Sequence, residues 1–128
     1  MSNWTKCRMT IKDRDKLFEA AKRLGLTVDH KKQKFAANSY TGAKNVDAVL
    51  VGKGGTIGMV EKATDEYDLV YDDYNWSNSA YEQLGSKCSK LTREYSKVIV
   101  EDQVSLMGGL VTNTETKNNG EIHLSVSI

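Results

Sequence analysis

Proline is absent from this sequence of 128 residues, and cysteine and histidine occur only twice each. Without proline there is no rigid linker, which favours one compact domain spanning residues 1–128. Cys7 and Cys88 lie far apart, and we expect two buried thiols in a reducing cytosol rather than a disulfide. His30 and His123 have no cysteine or acidic residue at a ligand spacing, so no metal site is predicted.

Long apolar runs are also missing, so we predict no membrane span. Residues 1–6 contain no apolar region of the kind found in signal peptides, and we expect mature, cytoplasmic protein. No motif in the sequence predicts a cofactor or specific nucleic-acid binding.

The charge of the chain is close to balanced, with a net value of +1, but it is unevenly distributed. Residues 1–62 contain 13 Lys or Arg and 6 Asp or Glu, whereas residues 63–128 contain 5 and 11. If the two halves form separate surfaces, the basic one attracts anionic partners. If the fold mixes the halves, the two fields cancel.

Alternation and capping patterns predict the order β-α-β-β-β-β-β-α-β-β. The first helix is expected over residues 13–24, where Asp13 caps the N-terminus and Gly25 stops the chain. Three strands over 46–51, 57–62 and 67–72, joined by short turns, predict an antiparallel meander. A long second helix is expected from about residue 78 to Leu106, with a bend near residues 98–100 or a short strand there as the alternative.

A terminal hairpin is predicted over 110–115 and 121–128, because Asn119-Gly120 favours a tight turn. Apolar residues alternate with polar ones after this turn, so we expect a final strand half buried in the sheet. Its uncharged polar face, which contains His123 and Ser125, is expected to be covered by another layer or another copy, or to be left open for binding. Together these elements predict an α+β domain of two layers, a mostly antiparallel sheet with two helices on one face.

The chain resembles a family of small conserved open-reading-frame proteins of algal chloroplasts and cyanobacteria, a domain of unknown function also found in bacteria and phages. The resemblance covers nearly the whole chain and depends on the order and spacing of several short segments. These segments are Met1-Ser2-Asn3-Trp4, Ile11-Lys12-Asp13, Leu24-Gly25, Asp47–Val51, Ile57-Gly58, Tyr67–Asp72, Trp76, Tyr95, Gly109 and Gly120–Ile122. Asn3 stands where the family usually has histidine, and Ser96-Lys97 stands where the family often has one nearby. The resemblance implies a fold but no activity.

Two segments invite a catalytic interpretation. Residues 52–56 (Gly-Lys-Gly-Gly-Thr) are rich in glycine, but a phosphate loop needs Lys followed by Ser or Thr and then a helix, so a hairpin turn is favoured. The acidic residues between 65 and 73 do not have the spacing of a calcium loop, so a solvated acidic edge is favoured over a metal site.

Aromatic residues close to basic ones give the candidate ligand-binding site, because aromatic rings can stack on a nucleotide base while lysine or arginine binds phosphate. The alternative is that the tyrosines complete the core, with their hydroxyls reaching water. The polar-aromatic loop 73–78 is the strongest single candidate. The predicted site residues are Tyr67, Tyr71, Tyr74, Trp76, Lys53 and Arg8.

Three functions are consistent with the sequence. The first is a non-catalytic module that docks a protein partner; formation of a homodimer is a separate question to test. The second is a small-ligand binder that sequesters a phosphorylated signalling nucleotide, as a phage-encoded member could. The third is a metal-assisted hydrolase that uses the acidic cluster. A docking module should expose a contiguous apolar patch, a ligand binder should have a pocket lined by tyrosine and lysine, and a hydrolase should have converging carboxylates.

Overall fold

The fold was analysed in a computed structural model that describes residues 4–7, 9–36, 42–72, 76–118 and 121–127. Within these ranges there are three α-helices and nine strands, in the order β-α-β-β-β-β-β-β-α-α-β-β. The helices are α1 (Arg14–Arg23), α2 (Asn78–Leu84) and α3 (Ser89–Leu106), with a 3-10 turn (Ser86–Cys88) between the last two. The strands are β1 (Thr5–Lys6), β2 (Thr27–Asp29), β3 (Gln33–Phe35), β4 (Lys44–Val46), β5 (Ala48–Val51), β6 (Thr56–Ala63), β7 (Glu66–Tyr71), β8 (Leu110–Thr116) and β9 (Ile122–Ser127).

The main sheet has five antiparallel strands in the order β1-β7-β6-β5-β2. Its centre is the predicted meander, and the helices pack their apolar residues against one face. The predicted α+β class, with helices on one face of a mostly antiparallel sheet, is therefore confirmed. The alternation of residues 5–11 predicts one continuous first strand, but β1 ends at Lys6. The Cys7 amide still donates to the Leu69 carbonyl at 3.0 Å, and Ile11 forms a bridge to Tyr67.

A β3–β4 hairpin packs on the opposite face of the sheet. Gly58 of β6 allows the close approach, because a Cβ atom there would lie 2.8 Å from Val46 Cγ1 and 2.9 Å from Phe35 Cδ1. Trp4 holds the hairpin from its edge, with its ring on Phe35 and its Nε1 donating to the Gly42 carbonyl at 2.9 Å.

Helix α1 begins and ends where the capping residues predict. The carboxylate of Asp13 accepts a hydrogen bond from the Lys16 amide at 3.2 Å, and the helix stops at Leu24 before Gly25 with φ of 85°. Tyr95 of α3 fixes the entrance to α1, since its hydroxyl accepts hydrogen bonds from the amides of Lys12 and Asp13 at 3.1 Å each. The two helices are therefore tied together at the point where α1 starts.

The second predicted helix is broken in two. Leu84 is the last residue of α2, and Gly85, Lys87 and Cys88 adopt φ values of 76°, 55° and 59° before α3 begins. The bend therefore lies at residues 85–88, and residues 98–100, where we expected it, are regular helix. The predicted end at Leu106 is confirmed. Within the described part of the chain, no helix combines the length and apolarity needed to cross a membrane.

The terminal hairpin forms as predicted, but it does not join the main sheet. Strands β8 and β9 pair only with each other among the described residues, in a separate sheet next to α3. The final strand therefore lies in a two-stranded sheet of its own and not in the main sheet. His123, Ser125 and Ser127 are exposed, so their face of the hairpin is open.

Candidate functional site

The predicted aromatic site is mostly part of the core. Tyr67 and Tyr71 are buried between β7 and the helices. The ring of Tyr71 stacks on Trp76 with centroids 5.1 Å apart, and Trp76 meets Tyr81 edge-on at 5.5 Å. Trp76 also lies over Gly55, where a Cβ atom would be 2.9 Å from the indole. These contacts make the cluster a packing element that joins β7 to α2.

Lys53 lies in the turn between β5 and β6. Its backbone amide donates to Gln83 Oε1 at 2.9 Å, which fixes the turn against α2. Its side chain lines a pocket of about 290 Å³ together with Leu24, Ser79, Glu82 and Gln83. This pocket contains a carboxylate and no aromatic ring, so it differs from the predicted tyrosine and lysine site. The other two predicted site residues, Arg8 and Tyr74, lie outside the described residues.

The acidic segment does not converge on a cleft. Asp68 lies between two lysines, 3.5 Å from Lys6 Nζ and 3.9 Å from Lys62 Nζ, and its own side chain is only 15% exposed. Asp72 is buried, and Asp73 lies outside the described residues. Over the ranges that the structure describes, no three His, Cys, Asp or Glu side chains gather in a way that could hold a metal ion.

The most unusual surface lies at the end of α3. Four large apolar side chains are solvent-exposed where α3 turns into β8; we call them the α3 patch. Their exposed fractions are 39% for Val100, 81% for Leu106, 72% for Met107 and 68% for Leu110. Single exposed apolar residues are common on protein surfaces, but a cluster of this kind is typical of an interaction site.

Helical geometry explains why these side chains leave the core. Leu91, Tyr95 and Val98 form the buried stripe of α3, at spacings of four and three residues. Val100 and Met107 lie seven residues apart, so they share a different stripe of the same helix. Gly108, with φ of 78°, then turns the chain into β8 and leaves Leu110 beside the helix end.

An open groove of about 540 Å³ adjoins the α3 patch. Its walls are Glu101 and Ser105 of α3 and residues 109–114 at the start of β8. Glu101 is held in place by Arg23 of α1, with Nη1 and Oε2 2.8 Å apart. Burial lowers the pKa of Arg23. The hydrogen bond and charge of Glu101, together with the nearby Glu19 and Glu94, raise the pKa by more than burial lowers it, so it lies above its ordinary value. The groove therefore has one firmly positioned polar wall, and the apolar α3 patch lies beside it.

The sequence contained a signal for the α3 patch that our interpretation did not use. Residues 98–110 contain more apolar positions than one helical stripe can bury, since Val98, Ile99 and Val100 occupy three different directions around the helix. We used this excess only to extend the helix, and so the exposed second stripe was missed.

Comparison with known proteins gives a family but no activity. Residues 20–125 match the model of a family described as a protein of unknown function (DUF1257). A search of the curated proteins and a search of the solved structures each found no significant match.

Proposed function

The chain belongs to this family of unknown function, and we propose that it is a non-catalytic module that docks a protein partner through the α3 patch. The supporting observation is the exposure of Leu106, Met107 and Leu110, each more than two-thirds accessible within a span of five residues. Fully burying one such side chain contributes roughly 1.5–3 kcal/mol. Three such side chains bordered by the polar wall of the groove have the apolar centre and polar edge of a typical interface.

The docking surface in this proposal differs from the one expected from the sequence. Trp76 and Tyr71 are already engaged with each other, so they offer a partner little new surface. The α3 patch requires no rearrangement of the core, since its exposed residues can bind from where they lie. A cytosolic setting fits this proposal, because Cys7 and Cys88 are buried and form no disulfide.

The nucleotide binder and the hydrolase remain predictions, and the residues that the structure describes do not form an arrangement that supports either of them. Tyr67 and Tyr71 are buried, and the pocket at Lys53 has Glu82 in its wall, which opposes an anionic ligand. A thermal-shift panel of nucleotides tests the ligand hypothesis directly. Stabilisation by several degrees with one nucleotide would favour it over protein docking.

The docking proposal is tested by quantitative affinity capture from the organism that encodes the protein. The variant Leu106→Ser/Leu110→Ser removes two apolar groups from positions so exposed that the fold should tolerate the change. We expect a specific protein that binds the wild-type chain to bind this variant at least tenfold more weakly, and purified partner in calorimetry should reproduce the loss.

Val51→Ser is the matched control, since Val51 is 43% exposed on a strand away from α3. It removes a comparable apolar group outside the α3 patch and should retain the partner. Equal capture by all three proteins would refute the proposal.

A further inference from the structure

The free edge of β9 differs from the other strand edges of this protein. The edges of the main sheet are formed by β1 and β2, with two and three residues, which are too short to recruit another strand effectively. Strand β9 has six residues and pairs only with β8 among the described strands. A long unpaired edge of this kind is a template for pairing with another chain.

The usual protective features are missing from β9. Its only ionisable residue is His123, and the chain contains no proline. Strand β8 does carry protection: its pairing register shifts between Val111 and Asn113, and such a bulge twists an edge away from potential partners. Thr112 at this bulge donates its hydroxyl to the Ser125 carbonyl at 3.2 Å. Of the two hairpin edges, the one on β9 is therefore the better suited to pairing.

The hairpin register determines which backbone groups face this edge. The Lys117 amide donates to the Glu121 carbonyl at 2.8 Å, so Glu121 directs its backbone groups toward β8. Antiparallel pairing alternates, so His123 and Ser125 do the same, whereas Ile122, Leu124 and Val126 direct their amides and carbonyls outward. The three outward-facing residues are evenly spaced and centred on Leu124.

We propose that β9 pairs antiparallel with β9 of a second copy, with the two-fold axis at Leu124. Ile122 then pairs with Val126 of the second copy, and every outward backbone group of 122, 124 and 126 gains a partner. This symmetric contact joins two hairpins into one four-stranded sheet. A two-stranded hairpin alone is marginally stable, so the additional strands supply what each copy lacks.

The charges along β9 favour a second copy as the occupant. In this register His123 lies opposite Ser125 of the second copy, and Glu121 lies opposite Ser127. No two like charges face each other, although the strand pairs with itself. His123 lies beside the proposed axis and not on it, so β9 can pair with a second β9 without repulsion between like charges. The strand carries no charge that would select a different, charged strand as its partner.

The first test measures the mass of the full chain by sedimentation equilibrium over about 1–200 µM, where mass action reveals a reversible dimer. We expect dimers for the wild type and for Leu124→Ala, which keeps the outward amide. Leu124→Pro removes that amide without removing a bond to β8, and it should be monomeric. A wild-type chain that stays monomeric throughout, or a dimer that tolerates Leu124→Pro, overturns the proposal.

A second test examines the register and avoids proline. The double variants His123→Lys/Ser125→Lys and His123→Lys/Ser125→Glu differ only in the sign of the charge at residue 125. In the proposed register the first opposes like charges twice and the second opposes unlike charges twice. The dimer dissociation constant should be about tenfold higher for the first. Equal constants would exclude this register.

This proposal does not depend on the docking function, because it uses the edge of β9 rather than the α3 patch. Leu106→Ser/Leu110→Ser separates the two, since neither residue lies on β9. We expect this variant to dimerise like the wild type while losing its partner, and Leu124→Pro to show the opposite pattern. Loss of the dimer in Leu106→Ser/Leu110→Ser would place the self-contact at the α3 patch and overturn the β9 pairing.

Discussion

At the scale of single residues, two glycines allow close packing around the central strand β6. Gly58 and Gly55 each lie where a side chain would collide with a neighbour, Val46 and Phe35 in one case and Trp76 in the other. Both glycines lie on β6 or immediately before it, so this central strand accepts a hairpin on one face and an indole on the other. The β3–β4 hairpin and the aromatic cluster therefore both depend on missing side chains.

Replacing Gly58 by alanine should destabilise the fold by about 1–3 kcal/mol, because the added methyl group overpacks a buried site. Urea denaturation measures the change in the free energy of unfolding. Gly42→Ala is the control, since nothing lies within 4 Å of a Cβ atom at that position. If Gly58→Ala were as stable as Gly42→Ala, the hairpin would not pack as closely as described.

A second prediction concerns the carboxylate of Asp13. The side-chain hydrogen bond from Lys16, at 2.8 Å, holds the pKa of Asp13 below its ordinary value, helped by the backbone amide of Lys16. A lowered pKa stabilises the folded state above the ordinary aspartate pKa, and this stabilisation is lost as pH falls through the lowered one. Asp13→Ala should therefore cost about 1 kcal/mol at neutral pH and less in acid.

Chemical denaturation between neutral pH and strong acid checks this dependence. Asp13→Asn is the matched variant, because asparagine caps a helix about as well as aspartate but does not titrate there. Its stability should vary less with pH than that of the wild type. A curve parallel to the wild type would assign the acid sensitivity to other carboxylates.

At the scale of elements, the break between α2 and α3 is the main departure from regular structure. Lys87 and Cys88 occupy the left-handed region, which costs roughly 1–2 kcal/mol for a residue with a side chain. Leu84, Cys88 and Leu91 are nevertheless all fully buried. The kink therefore lets α2 and α3 direct one apolar stripe toward the sheet.

Lys87→Gly should stabilise the protein by up to about 1 kcal/mol, since glycine adopts this conformation without steric cost. Lys90→Gly, only three residues further along but inside α3, should destabilise it by a similar amount. Thermal unfolding of the two variants gives shifts of opposite sign if the kink is correct. Shifts in the same direction would indicate a continuous helix.

Elements with strong local signals could be predicted from the sequence, and those decided by tertiary contacts could not. Asp13 and Gly25 bound α1 almost to the residue, and the alternation of 67–72 identified β7. No local pattern predicts the left-handed conformation of Lys87. The packing of its buried neighbours determines this conformation, and the backbone preference of lysine does not. Packing also decides what the aromatic residues can offer a ligand: Tyr71 lies on a strand and Trp76 in a polar segment, and the two rings stack on each other.

At the scale of the whole molecule, the chain divides into a packed body and an appended hairpin. The residues of the main core that are described all precede residue 100, whereas Glu115, His123 and Ser125 of the hairpin are exposed. The body contains the helices and the five-stranded sheet, and the hairpin residues named above lie outside both core clusters. The two parts are thus suited to different tasks, one to stability and one to contact.

A chain ending at Gly108 should therefore still fold. We expect cooperative thermal unfolding with a midpoint within about 5 °C of the full chain, which corresponds to about 1 kcal/mol. Circular dichroism and calorimetry check both properties, and the full chain measured at low concentration is the control. Loss of cooperative unfolding would show that the hairpin completes the core.

The rates at which the two buried thiols react can show whether the body unfolds as one unit. Cys7 lies at the edge of the main sheet, where burial raises its pKa, and Cys88 lies at the kink between the helices. Since only an exposed thiolate reacts, neither should be modified until its surroundings open. If the kink opens by itself, Cys88 will be labelled faster than Cys7; if the body opens only as a unit, the two rates will converge. The two reaction rates thus distinguish local opening at the kink from unfolding of the whole body, and no additional cysteine has to be introduced.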